Sequence, residues 1–100
     1  MNPKIHPQAQ ADYWRQFEYL RKAHVGSVTL RKYFAAIREA KRKITKNPGT
    51  WSFIPGSKRV RRVQVRDFRM QVFYIVLPDG RPFILEISGP GELPHWRERL

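Results

Sequence analysis

Hydrophobic side chains recur along the first half of the chain at intervals of three and four. Tyr13, Phe17 and Leu20 mark a helix over residues 8–24, with Trp14 beside the stripe. Pro7 suits its start. Gly26 and Ser27 interrupt the pattern, and Ser27 is the expected cap of a second helix. That helix carries Leu30, Phe34, Ile37 and Ile44 on one stripe, flanked by Tyr33 and Ala40, and stops at Asn47-Pro48-Gly49 because proline cannot continue it. Lys41, Arg42, Lys43 and Lys46 crowd its last turns, where cations offset the negative end of the helix dipole. The short link between the two helices predicts an antiparallel hairpin.

After a loop over residues 49–57, rich in Gly, Pro and Ser, the period changes to two. Val63 and Val65 alternate with Arg62, Gln64 and Arg66, and Met70, Val72, Tyr74 and Val76 alternate with Arg69, Gln71, Phe73 and Ile75. Pro78-Asp79-Gly80-Arg81 is a turn. Beyond it Phe83, Leu85 and Ile87 alternate with Ile84, Glu86 and Ser88, and Gly89-Pro90-Gly91 ends the pattern. A turn at Asp67-Phe68 sets Val65 opposite Met70, Val63 opposite Val72, Arg62 opposite Phe73 and Arg66 opposite Arg69. The second turn sets Val76 opposite Phe83, Tyr74 opposite Leu85 and Val72 opposite Ile87. Both registers gather the apolar partners on one face, where the helices belong. The other face receives Arg62, Gln64, Arg66, Arg69, Gln71, Glu86 and Ser88, together with Phe73, Ile75 and Ile84, which the C-terminal segment is expected to cover. Val60 has the wrong parity to join Val63, so either a bulge lies near Arg61 or the strand begins after Val60. The pattern predicts an α+β fold: an N-terminal helical hairpin packed on one face of a three- to four-stranded, mainly antiparallel sheet, as a single domain over residues 1–100.

Charge changes the picture from a generic small domain to one that needs an anionic partner. The chain of 100 residues carries 20 Lys and Arg against 8 Asp and Glu, a formal charge of +12. Thirteen of the cations, against Glu39 and Asp67 alone, fall between Arg31 and Arg69, so the field comes from one stretch of the fold. No apolar run approaches the roughly 20 residues that span a bilayer, and residues 1–7 show no apolar leader. The absence of cysteine excludes thiolate chemistry and disulfides and fits the cytoplasm. His6, His24 and His95 are not paired at ligand spacing, so neither a metal nor a cofactor is expected.

Three groups of residues carry candidate chemistry. Lys58, Arg59, Arg61, Arg62, Arg66 and Arg69 form a basic cluster. It is either a solvated charged face or a site for phosphates or an acidic partner, and like charges opposed across strands favour the second. Glu86 is either half of a salt bridge on an open sheet face or a general base. His95, in the tail Leu93-Pro94-His95-Trp96-Arg97-Glu98-Arg99, is the one histidine near the basic face and suits proton transfer. Arg97 and Arg99 join the cations expected to touch nucleic acid or an acidic partner. Trp96 reads as an anchor for the tail, and Trp14 and Trp51 as core or loop packing. There is no nucleophile triad, Gly-rich phosphate loop or paired-carboxylate motif.

In order, spacing and length the chain resembles the RelE/ParE superfamily of bacterial toxins. The resemblance rests on Ile44-Thr45-Lys46-Asn47-Pro48 closing the second helix, Arg61-Arg62-Val63 opening the basic strand, Phe68-Arg69-Met70-Gln71-Val72-Phe73-Tyr74 in the central strand, and Pro94-His95-Trp96-Arg97-Glu98-Arg99 at the end. Two features differ: the family's first strand is reduced here to Lys4-Ile5-His6, and the tail lacks the tyrosine of several nuclease members. The resemblance implies the toxin of a type II toxin–antitoxin system, wrapped by its cognate antitoxin in a hetero-oligomer. RelE-like members bind the ribosome and cut mRNA; ParE-like members inhibit DNA gyrase without nuclease chemistry. By motif position, Arg62, Arg69, His95 and Arg97 fall where RelE-like toxins keep functional side chains. The reading that follows is a ribosome-dependent endoribonuclease with Arg62, Arg69, Glu86 and His95 as its catalytic set. A gyrase inhibitor and a non-toxic nucleic-acid-binding module are the alternatives.

Overall fold

A computed structural model describes residues 3–100; Met1 and Asn2, the first two positions of the expected domain, lie outside the described residues. A short strand β1 (Lys4–Ile5) leads into helices α1 (Pro7–Lys22) and α2 (Gly26–Lys46), followed by strands β2 (Arg61–Val65), β3 (Met70–Val76) and β4 (Pro82–Ser88) and a 3-10 turn at Trp96–Arg99. The sheet has the order β1-β4-β3-β2, with β1 parallel to β4 and the other pairs antiparallel. Both helices pack on one face, which makes the architecture α+β with a mixed, largely antiparallel sheet. No helix of the described residues is long and apolar enough to cross a membrane.

The first helix begins at Pro7 as expected; the second does not begin on its expected cap. His6 caps α1, its Nδ1 accepting the N–H of Gln8 at 3.1 Å, and Pro7 occupies the first helical position. Ser27 does not cap α2; the flanking residue is Val25, with no side-chain cap. The chain reverses instead through left-handed backbone at His24 (φ 55°) and Gly26 (φ 82°). Tyr33 on α2 is fully buried, and its hydroxyl donates to the carbonyl of Tyr13 on α1 at 2.7 Å, locking the hairpin.

The register between β2 and β3 is the expected one, with Val63 opposite Val72, Val65 opposite Met70 and Arg62 opposite Phe73. Strand β2 starts at Arg61, so Val60 lies before it and no bulge is needed there. The bulge occurs on β4. Val72 faces Ile87 and Phe73 faces Glu86 as expected, but Tyr74 then faces Ile84 and Val76 faces Pro82. Leu85 is the extra residue, and it reverses the parity of everything before it. Ile84 therefore joins the helix-side core with Tyr33, Ile37, Ile44, Val63, Val72 and Ile87. Leu85 and Phe83, expected beneath the helices, pack on the other side with Phe73 and Ile75. Arg66 and Arg69 do not face each other across strands; both lie in the hairpin turn beyond the Val65–Met70 pair.

Candidate functional site: the outer face and free edge of the sheet

The face turned away from the helices is not an open basic platform. Its centre is a second apolar cluster of Ile54, Val60, Phe73, Ile75 and Leu85, covered by Trp96 from the tail and by the loop before β2. The tail cover was expected; the contribution of Ile54 and Val60 was not. Cations are displaced to the margin along β2. Lys58 and Arg59 are exposed just before it, Arg62 is exposed on it, and Arg66 and Arg69 are exposed in the turn that follows. Among the described residues no carboxylate pairs with Lys58, Arg59, Arg62 or Arg69, and Arg66 has only the exposed neighbour Asp67 at 3.8 Å. An unneutralised row of this kind attracts polyanions.

Across the strands one row reads Arg62, Phe73, Glu86 and the next Gln64, Gln71, Ser88. Two strand spacings of about 4.8 Å put Arg62 and Glu86 backbones roughly 10 Å apart. Glu86 is 3% exposed, and its Oε1 accepts the backbone N–H of His95 at 2.7 Å. Burial raises the Glu86 pKa above the usual carboxylate range, while the His95 N–H and nearby Arg99 oppose the rise. Glu86 is thus neither a partner in an open-face salt bridge nor a freely exposed base. It fixes the backbone of His95, an exposed residue. The register sets Arg62 and Glu86 in one cross-strand row with Phe73 between them, the Glu86 carboxylate holds the His95 backbone, and Arg69 lies in the turn of the same hairpin.

Two cations of the expected binding set have structural engagements instead. Arg61, on the helix-side parity of β2, donates Nη1 to the Trp51 carbonyl at 2.6 Å and lies over the Phe53 ring at 3.9 Å. It pins the preceding loop to the strand. Arg99 is buried against Asp12 of α1 at 2.6 Å and donates to the Leu85 carbonyl at 3.0 Å. Arg97 stays exposed beside Trp96, 4.9 Å from its ring centroid.

Hydrophobic spacing gave no hint of the polar network that holds the tail. β1 covers β4 only at Phe83 and Ile84. Past it the strand edge offers a free Leu85 carbonyl and a free Ile87 N–H; Arg99 takes the first and Asp12 the second, at 3.1 Å. Glu92 continues the closure: its Oε1 accepts from Gly89 N–H at 2.8 Å and from the Gln16 amide, and its Oε2 pairs with Arg15 at 2.8 Å. A Cβ at Gly89 would displace the Glu92 and Gln16 side-chain ends and so disturb this closure. The signal available in the sequence was an Asp and a Gln, Asp12 and Gln16, in register with Ala9 on α1.

A second basic surface lies on the helix side. A groove of about 550 Å³ is lined by Pro3 and Ile5 together with Arg38, Lys41, Arg42, Thr45 and Lys46. Arg38, Arg42 and Lys46 follow one another at four-residue intervals, a like-charge series that destabilises an isolated helix. Only Arg42 has an acidic partner among the described residues, Glu39 at 2.6 Å.

In fold the chain is similar to a solved structure of the E. coli toxin RelE, a double arginine-to-alanine mutant in the free state. The TM-score is 0.57, with 91% of this chain and 86% of that chain covered at 10% sequence identity. Comparison with family models and with curated proteins found no match.

Proposed function

We propose that this protein is the toxin of a type II toxin–antitoxin pair, acting in the cytoplasm by binding the ribosome and cutting the mRNA held there. The observation that carries the reading is the row of exposed cations along β2 and its hairpin, which meets the Arg62–Phe73–Glu86 row at Arg62, with Glu86 in turn holding the His95 backbone. The RelE-like fold supports it. Ribosomal RNA offers such a row many phosphates, and shape-reading basic surfaces bind them without sequence preference.

In cleavage, the 2′-oxygen of the message attacks the adjacent phosphorus and the bond to the 5′-oxygen breaks. Arg62 and Arg69 hold the phosphate and oppose the negative charge that develops on it. His95 gives its proton to the departing 5′-oxygen. Glu86 acts through His95 as a positioning residue, and the 2′-hydroxyl proton leaves to solvent. The cognate antitoxin, an acidic chain, neutralises the basic surfaces in a toxin–antitoxin hetero-oligomer.

The test is a translation extract programmed with reporter mRNA and probed by primer extension. Cuts in ribosome-bound message that disappear with Arg69→Ala support the reading. Intact message together with inhibited DNA supercoiling replaces it with gyrase poisoning. Normal growth on induced expression leaves only a nucleic-acid-binding module.

A further inference from the structure

We propose that the cleft beside the free edge of β2 is a nucleotide subsite: one base of single-stranded RNA stacks on Trp51, and Lys43 and Arg62 hold the phosphates beside it. The inference rests on the RNA-binding reading for its ligand class and adds where along β2 a base is held.

The cleft, open to solvent, measures about 300 Å³ and is lined by Lys43, Trp51, Ser52, Arg62, Val63 and Gln64. That is the lower end of small-ligand sites, about 300–1,000 Å³, and suits a single nucleotide. Its aromatic wall is held in place by three hydrogen bonds. The Trp51 indole N–H donates to the Lys43 carbonyl at 3.1 Å, the Trp51 carbonyl accepts from Arg61 at 2.6 Å, and the Ser52 carbonyl accepts the Arg62 N–H at 3.1 Å. With its one polar atom engaged, the ring has only apolar surface to offer, and it is oriented before any ligand arrives. Stacking on such a ring tolerates any base, because every base has a π-face.

The cations complete the site. The Lys43 ammonium lies 6.0 Å from the Trp51 ring centroid. Arg62 lines the same cleft from β2, and neither has a carboxylate partner among the described residues. Gln64, the next outward residue on β2, is exposed and offers an amide donor and acceptor to a base edge. An extended peptide fits less well. Phe53 already bridges Arg61, and Ser52 already binds Arg62, so only the stretch at Gln64 remains for a strand to join.

The experiment titrates the whole protein with a short single-stranded RNA and with an abasic ribose-phosphate oligomer of the same length, following anisotropy and the three indole N–H resonances. The expected result is RNA binding about tenfold tighter than abasic binding, with the Trp51 resonance moving and those of Trp14 and Trp96 staying still. Lys43→Ala weakens both oligomers and lowers the salt slope by about 1. Gln64→Ala, a surface change that leaves folding intact, alters the preference among bases but not the salt slope. Because Trp51 packs against the core, Trp51→Phe is used in place of alanine, and it narrows the RNA-over-abasic preference. Equal binding of the two oligomers with an unmoved Trp51 resonance overturns the base pocket and leaves the basic edge standing. Failure to bind either oligomer at low salt overturns the RNA reading as well. A poly-glutamate peptide that shifts Trp51 and displaces the RNA overturns the inference in favour of a protein partner.

Discussion

Arg99 Nη1 lies 2.6 Å from Asp12 Oδ2, joining the last turn of the chain to the first helix, with both side chains 8% exposed. The pair does more than neutralise itself. Each partner also satisfies a backbone group on the part of β4 that β1 does not reach. It therefore seals a strand edge and straps the tail over the outer apolar cluster in one contact. Removing one partner leaves a buried charge and an orphaned backbone group. Asp12→Ala is expected to cost about 3–5 kcal/mol in urea unfolding, and the double change Asp12→Leu with Arg99→Leu less than the sum of the two single changes. Additive losses in that cycle show that the contact does not couple the two ends.

Arg69 occupies the left-handed region at φ 53°, where a residue with a Cβ is strained. Phe68, tucked edge-on against Tyr33 at 5.7 Å, draws the turn toward α2 and holds it in that conformation. Arg69→Gly relieves the strain but removes the guanidinium that the proposed mechanism uses to hold phosphate. The expected outcome is a gain of about 0.5–1 kcal/mol in denaturant unfolding alongside weaker polyanion binding and lost message cleavage. A glycine variant less stable than the parent contradicts the account of the turn.

Glu86 separates positioning from base catalysis. Glutamine keeps the oxygen that accepts the His95 N–H, so Glu86→Gln is expected to retain most cleavage, while Glu86→Ala loses it. A dead Glu86→Gln with an intact fold makes the carboxylate a base after all.

The same residue predicts a pH dependence. Burial raises its folded pKa, so in the interval above the ordinary carboxylate value the folded state binds more protons than the unfolded state. This contribution to stability is present at acid pH and falls as pH rises through that interval. Glu86→Gln has no such titration. Its melting temperature relative to the parent should be higher near neutral pH, with the gap closing on acidification to about pH 4. A gap that widens toward acid reverses the sign and refutes the assignment.

Arg61 and Arg62 are adjacent and chemically identical, yet they face different surroundings. Arg61→Ala is expected to cost about 1.5–3 kcal/mol, because it breaks a charged hydrogen bond to the Trp51 carbonyl. Any effect on RNA binding should come through the loop rather than the salt slope. Arg62→Ala should leave stability within about 0.5 kcal/mol and lower the salt slope of RNA binding by about 1. Urea titration and anisotropy at several salt concentrations distinguish the two.

Some of this was legible along the chain and some was not. The hairpin of β2 and β3 was readable because alternating valines leave one register that buries them all. The β3–β4 register failed beyond Phe73 because Leu85 adds a residue where the alternation looks unbroken; a leucine packs on either face, so parity gives no warning. On α1, Tyr13, Phe17 and Leu20 were readable as an apolar stripe, but Ala9, Asp12 and Gln16 form the buried seam. Polar side chains are buried there because they meet a strand edge rather than other side chains. The position of Arg62 beside Phe73 was readable from the register, and with it the row that ends at Glu86. That Arg61 turns inward while Arg62 stays out follows from the strand beginning at Arg61, one of two readings the residues allowed. The cleft around Trp51 joins the end of a helix, a loop and a strand, and spacing along the chain does not connect them.

Periodicity and charge, which are properties of neighbouring residues, determined two helices, three strands and a concentration of cations between Arg31 and Arg69. Only tertiary structure decided which faces the β4 residues join and which cations remain exposed. A guanidinium is neutralised or left exposed by what lies within a few ångströms of it, and for Arg99 that neighbour is an aspartate 87 residues away.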